Sequence, residues 1–98
     1  MKSITTEELQ ERYENGEQFN IVDVREADEV AEGKIPGATH IPLGLIEFKH
    51  QELDKSKEYH MVCRSGGRSG RASQFLESQG YNVVNVDGGM MSWTGKTE

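Results

Sequence analysis

Short runs rich in β-branched residues alternate along this chain with stretches of helical spacing, and that alternation restricts the fold more than any other feature. Phe19–Val24, His40-Ile41, Tyr59–Val62 and Val83–Val86 read as strands. Ahead of them, Thr5 as N-cap, Glu8 as its capping-box partner and Ile4 stapled against Leu9 open a helix that continues through Tyr13 to a cap at Asn15-Gly16. Ala27, Val30 and Ala31 mark a short helix stopped by Gly33, and Ile35-Pro36-Gly37-Ala38 turns into the second strand. Residues 43–55 carry a short helix followed by a loop, and Ala72, Phe75 and Leu76 recur at i, i+3, i+4 in a helix that ends at Gly80. Asp87-Gly88-Gly89 is a turn into a terminal segment whose Met90, Met91 and Trp93 read as a core plug. Such alternation predicts βαβ units, hence an α/β fold with a mostly parallel sheet covered by helices on both faces.

Ligands of such sheets gather beyond the C-terminal strand ends, and there the pattern places Asp23, Arg25 and Cys63. Cys63 is the only cysteine, and it opens the run Cys63-Arg64-Ser65-Gly66-Gly67-Arg68-Ser69-Gly70-Arg71 between a strand and a helix. The first turn of a helix offers unpaired amides and about half a positive charge, which favour a thiolate or a bound anion. Gly66, Gly67 and Gly70 are expected to curl the backbone with its amides inward, and Arg64, Arg68 and Arg71 add full charges. In such surroundings a thiol pKa falls from about 8.5 into the range of roughly 3.5–7.5, so Cys63 is expected to be a ready nucleophile.

Composition narrows the partners. Ninety-eight residues suit one domain, residues 1–98, with a single core. A net charge of −6 argues against non-specific binding of nucleic acid or anionic membrane. No acidic residue lies between Glu58 and Glu77, where three of the five arginines fall, so a locally positive pocket for small anions is expected. One cysteine permits no internal disulfide, and with no export signal or membrane span the chain reads as cytoplasmic. His40, His50 and His60 sit in no motif and read as ordinary surface or core histidines, and no metal or other cofactor is called for.

Four segments, in order and at the right spacing, resemble the signatures of the rhodanese, or sulfurtransferase, family in its small single-domain form. They are Ile21-Val22-Asp23-Val24-Arg25; Gly33-Lys34-Ile35-Pro36-Gly37-Ala38 with Ile41-Pro42; Cys63 to Ser69; and Gly80-Tyr81, Asp87-Gly88-Gly89 and Trp93. The chain departs from the family at Lys34, commonly histidine, and at Val30, commonly aromatic. The resemblance implies a five-stranded parallel sheet and a cysteine that carries sulfur as a persulfide. By that likeness Cys63 takes sulfane sulfur from thiosulfate or a persulfide and passes it to an external thiol, a cyanide-like acceptor or a sulfur-relay protein. Amides from Arg64 through Ser65, Gly66, Gly67 and Arg68 to Ser69 would hold the persulfide, and Arg64 and Arg68 an anionic donor. Asp23 and Arg25 flank a strand end and read as a structural pair bracing the loop rather than as catalytic groups.

Two other classes share parts of this pattern. Cysteine phosphatases and arsenate reductases also set a thiolate in an amide-lined loop. Tyrosine-phosphatase-like loops enclose five residues between Cys and Arg, whereas Cys63 and Arg68 enclose four, a smaller ring that suits one sulfur better than a tetrahedral phosphate. A reductase using an internal disulfide needs a second cysteine, which is lacking here. A non-catalytic rhodanese-like binding module typically lacks the cysteine that this chain retains.

Overall fold

A computed structural model describes residues 1–98. Five strands form one sheet in the order β1-β5-β4-β2-β3, with β1 Lys2–Thr5, β2 Asn20–Asp23, β3 Thr39–His40, β4 Glu58–Val62 and β5 Asn82–Asp87. Every neighbouring pair is parallel, so each connection crosses over the sheet. The helices are α1 Thr6–Glu14, α2 Ala27–Ala31, α3 Ile46–Lys49 and α4 Gly67–Ser78; 3₁₀ turns flank α3, and a further one spans Gly89–Ser92.

The strand period of two divides the side chains of β4 between two cores. Tyr59, Met61 and Cys63 pack with Ile46, Ala72, Leu76 and Val83 beneath α3 and α4. On the opposite face Val62, Val84 and Val86 pack with Ile4, Leu9 and Trp93 beneath α1 and the terminal turn. Trp93 stands edge-on to Tyr13 at 5.5 Å between ring centroids, as a core plug should. Met91 departs from that expectation and is 66% exposed.

Strand β1 is the element that local pattern does not announce. Lys2-Ser3-Ile4-Thr5 has one buried residue, Ile4, because it is an edge strand paired only to β5 from Lys2↔Val84 to Thr5↔Asp87. Ile4 and Leu9 share a core cluster, and Thr5 Oγ1 accepts the Glu8 amide at 3.1 Å, so the expected cap forms. Glu8 does not return the bond; the reciprocal capping box lies instead at α2, between Glu26 and Glu29.

Candidate active site

The apolar strand β4 ends at Val62, and the next residue, Cys63, is 1% exposed, with its side chain on the α4 side of the sheet. Three residues on, Gly66 takes φ +116° as the N-cap of α4, a conformation that favours glycine, and turns its amide back toward the sulfur. The Gly66 N–H donates to Cys63 Sγ at 3.0 Å and the Ser69 hydroxyl donates at 3.3 Å. Burial by itself pushes the Cys63 thiol up. The Ser69 hydroxyl and the amides of Ser69, Gly66 and Ser65 outweigh it, and the net result lies below the ordinary thiol value. Gly67 and Gly70, expected to line the curl, are instead helical residues of α4; among the three loop glycines only Gly66 has positive φ.

The arginines divide. Arg68, in the first turn of α4, makes a two-pronged pair with Glu29 of α2, Nη1 to Oε1 at 2.5 Å and Nη2 to Oε2 at 2.8 Å. Arg64 is exposed and lines a groove with Arg25, Glu29, Glu32, Met90 and Met91. Arg71 is exposed on α4. The stretch free of acids in sequence is therefore not free of them in space, and one of its three arginines is neutralised by Glu29 of α2. Arg25 and Asp23 form a buried pair, Nη2 to Oδ2 at 2.9 Å. The same guanidinium donates to the carbonyls of Glu29 at 3.3 Å and Gly33 at 2.7 Å, so the pair braces α2 rather than the cysteine loop directly.

A sequence profile described as the rhodanese-like domain matches residues 5–96. The chain belongs to the rhodanese-like domain family. Over its full 98 residues it is 50% identical to a Bacillus subtilis protein named "Putative sulfurtransferase YtwF", of which it covers 95%. It is 43% identical over 96 residues to the B. subtilis "Putative sulfur carrier protein YrkF", covering 97% of this chain and 52% of that one. A crystal structure of a rhodanese-like domain protein from Staphylococcus aureus superposes with a TM-score of 0.92 at 40% identity, covering 100% of this chain and 97% of that one. These likenesses support a sulfurtransferase or sulfur-carrier role.

In this rhodanese-like domain the loop is held from behind by residues with no local signal. The amides of Met90 and Met91 donate to the carbonyls of Cys63 and Arg64, both at 2.9 Å, and Gly88 N donates to Ser65 O at 3.2 Å. Buried Thr6 donates its hydroxyl to Gly89 O at 2.9 Å, and buried Asn85 donates to Gly66 O at 3.3 Å and Asp87 Oδ1 at 3.0 Å. Only the doublet Gly88-Gly89 hinted at this clamp, and read along the chain it is a simple turn. Lys34, at the position where the family commonly has histidine, turns away from the loop to the Glu98 carboxylate and to Ala38 O. The histidines lie elsewhere: His40 on Arg25 O, His50 on Tyr81, and His60 buried edge-on to Phe19.

Loss of the Ser69 hydroxyl removes the strongest influence holding the thiol down. Ser69→Ala is expected to raise the Cys63 pKa, so the pH midpoint of iodoacetamide alkylation moves up and alkylation at neutral pH slows by about tenfold. An unchanged midpoint would show that the backbone amides suffice.

Proposed function

We propose that this rhodanese-like domain is a sulfurtransferase in which Cys63 accepts sulfane sulfur from thiosulfate or a persulfide and hands it on in a ping-pong cycle. The observation that carries the reading is the pair of donors, Gly66 N–H and Ser69 O–H, converging on Cys63 Sγ and favouring its thiolate. In the first half-reaction the thiolate attacks the outer sulfur of thiosulfate; the donor S–S bond breaks, a new one forms on Sγ, and sulfite leaves with the bonding pair. In the second, an acceptor nucleophile attacks that outer sulfur and Cys63 departs as the thiolate. No separate general base is drawn into the cycle, since the attacking species is the thiolate that the Gly66 and Ser69 donors favour and the leaving group accepts the electron pair.

The amides of the turn that favour the thiolate serve equally for the persulfide anion, whose charge stays within the same loop. Arg64, exposed at the groove, meets an anionic donor; Asp23 and Arg25 act at a distance by setting α2. Because Cys63 is the one cysteine, no second thiol of the chain can resolve the persulfide, so the sulfur leaves to an outside acceptor: a small thiol, cyanide or a relay protein. The likeness to a protein named as a sulfur carrier supports the last of these. Residues 1–98 act as one such domain in a reducing, cytoplasmic setting; no helix is long and apolar enough to cross a membrane.

Intact-protein mass spectrometry after incubation with thiosulfate is expected to show one added sulfur atom, removed by cyanide with thiocyanate released. Absence of any cyanide-labile adduct with thiosulfate and with a monoanionic sulfane donor alike would end this reading. Turnover of a generic aryl phosphate at a comparable rate would favour a phosphatase instead.

A further inference from the structure

Glu29 stands at the rim of the cysteine loop, in a position that no donor-binding role for Arg68 would lead one to expect. Glu29 lines the groove beside Arg64, and its carboxylate takes both terminal guanidinium nitrogens of Arg68. Neither partner is free to swing away. The Glu29 carboxylate also accepts the Glu26 amide at 3.0 Å, closing the capping box of α2, and the Glu29 carbonyl accepts from Arg25, which Asp23 anchors in turn. The Arg68 and Glu29 side chains are only 31% and 26% exposed, so water screens the pair less than it would a surface ion pair. The chain of contacts Asp23, Arg25, Glu29, Arg68 thus ends beside the cysteine with its last positive charge already compensated, and Glu32 adds a second acid to the same groove. Arg64 is the remaining cation there whose side chain has no carboxylate partner.

We infer that Glu29 is a specificity-determining residue: by occupying Arg68 and placing a carboxylate at the mouth, it disfavours dianionic inorganic donors and selects an organic donor that carries no more than one negative charge on its sulfane group. The favoured class is an organic persulfide, of a small thiol or of a partner's cysteine. Its transfer balances without a further reactant: the Cys63 thiolate attacks the terminal sulfur of R–S–SH, the donor S–S bond breaks, Cys63–S–SH forms, and R–S⁻ leaves with the bonding pair. The inference rests on the sulfurtransferase reading and adds to it the charge class of the donor. Apolar Met91, 66% exposed on the same groove, gives the organic part of such a donor a surface that sulfite cannot use.

Thiosulfate, a dianion, and methanethiosulfonate, a monoanion that delivers the same sulfane sulfur, separate charge from chemistry. The second-order rate of Cys63 persulfide formation is measured by mass spectrometry for both donors in the wild type, Glu29→Gln and Glu32→Gln. Glutamine keeps an oxygen for the Glu26 amide and removes only the charge. Because Coulomb energy scales with donor charge, Glu29→Gln is expected to speed thiosulfate by about tenfold and methanethiosulfonate by about threefold. Glu32→Gln removes the same charge without freeing Arg68 and is expected to change either rate by less than about twofold. Equal gains for the two donors, a gain no larger than that of Glu32→Gln, or a slower thiosulfate reaction would each overturn the inference. Glu29→Ala tests it again should the glutamine amide itself hold Arg68: the same charge dependence is expected, and its absence in both variants counts against the role. Labelling of the wild type by methanethiosulfonate shows independently that the sulfurtransferase reading stands; if neither donor labels Cys63, that reading falls and this inference with it.

Discussion

Cys63→Ser is expected to lower sulfur transfer from thiosulfate to cyanide by at least about a thousandfold and to abolish the cyanide-labile adduct. A serine hydroxyl is not ionised near neutral pH and offers no soft sulfur on which an S–S bond can form. The fold should persist, because serine has nearly the same shape and its oxygen can accept from the same Gly66 amide and Ser69 hydroxyl. Circular dichroism and the melting temperature, expected to change by less than about 1 kcal/mol equivalent near pH 6, check that the loss is chemical. Stability carries a second signature. The folded Cys63 pKa lies below that of an unfolded cysteine, so between the two values the native state holds fewer protons than the unfolded chain. Wild-type stability relative to Cys63→Ser should therefore rise with pH across that window, reach its full gain above the unfolded pKa, and be lost as pH falls through the folded one. Full transfer by the serine variant would remove Cys63 from the reaction.

Gly89→Ala is expected to damage both stability and transfer although Gly89 touches no substrate. A Cβ on Gly89 would lie 2.4 Å from Cys63 O and 2.6 Å from both the carbonyl carbon and oxygen of Arg64, and all three are backbone atoms with no flexible end to yield. Its φ of +52° adds the left-handed penalty of any L side chain. Overpacking and backbone strain together should cost about 3 kcal/mol, a fall in Tm of roughly 15 °C for a domain of this size. Relief requires the loop to move away from the 3₁₀ turn, which breaks the Met90 and Met91 bonds to the carbonyls of Cys63 and Arg64 and re-aims the amides that meet Sγ. Transfer should fall by about a hundredfold, with the pH midpoint of Cys63 alkylation displaced upward. An alanine variant with wild-type Tm and transfer would show that the turn does not clamp the loop. Gly37→Ala is a control for glycine replacement alone, since its φ of +85° is strained but nothing lies within 4 Å of its Cβ.

Local spacing carries much of this molecule. Each βα step is short and sharply punctuated, so β2, β4 and β5 emerge within one or two residues of their expected ends, whereas α4 starts at Gly67, inside the Gly-rich run. Strand β1 escapes that kind of reading because a four-residue edge strand with one buried side chain is stabilised by pairing to β5, a partner some eighty positions away. Helix α2 is a further case: none of its residues is fully buried, and what holds it is the Glu26–Glu29 capping box and the Asp23–Arg25 pair rather than an apolar face.

By itself the sequence determined the alternating α/β plan, the placement of a lone cysteine at a strand-to-helix turn, and a ring of four residues between Cys63 and Arg68, because each of these depends on neighbours within a few positions. The tertiary structure alone decided which charges that cysteine meets. Asn85 and Gly89 reach its loop from the C-terminal part of the chain, Thr6 holds the Gly89 turn from the N-terminal part, and Glu29 crosses from α2 to cancel Arg68. The physical reason is that a parallel sheet brings the C-terminal ends of distant strands to one edge, so electrostatic and steric partners there are set by strand order rather than by separation along the chain.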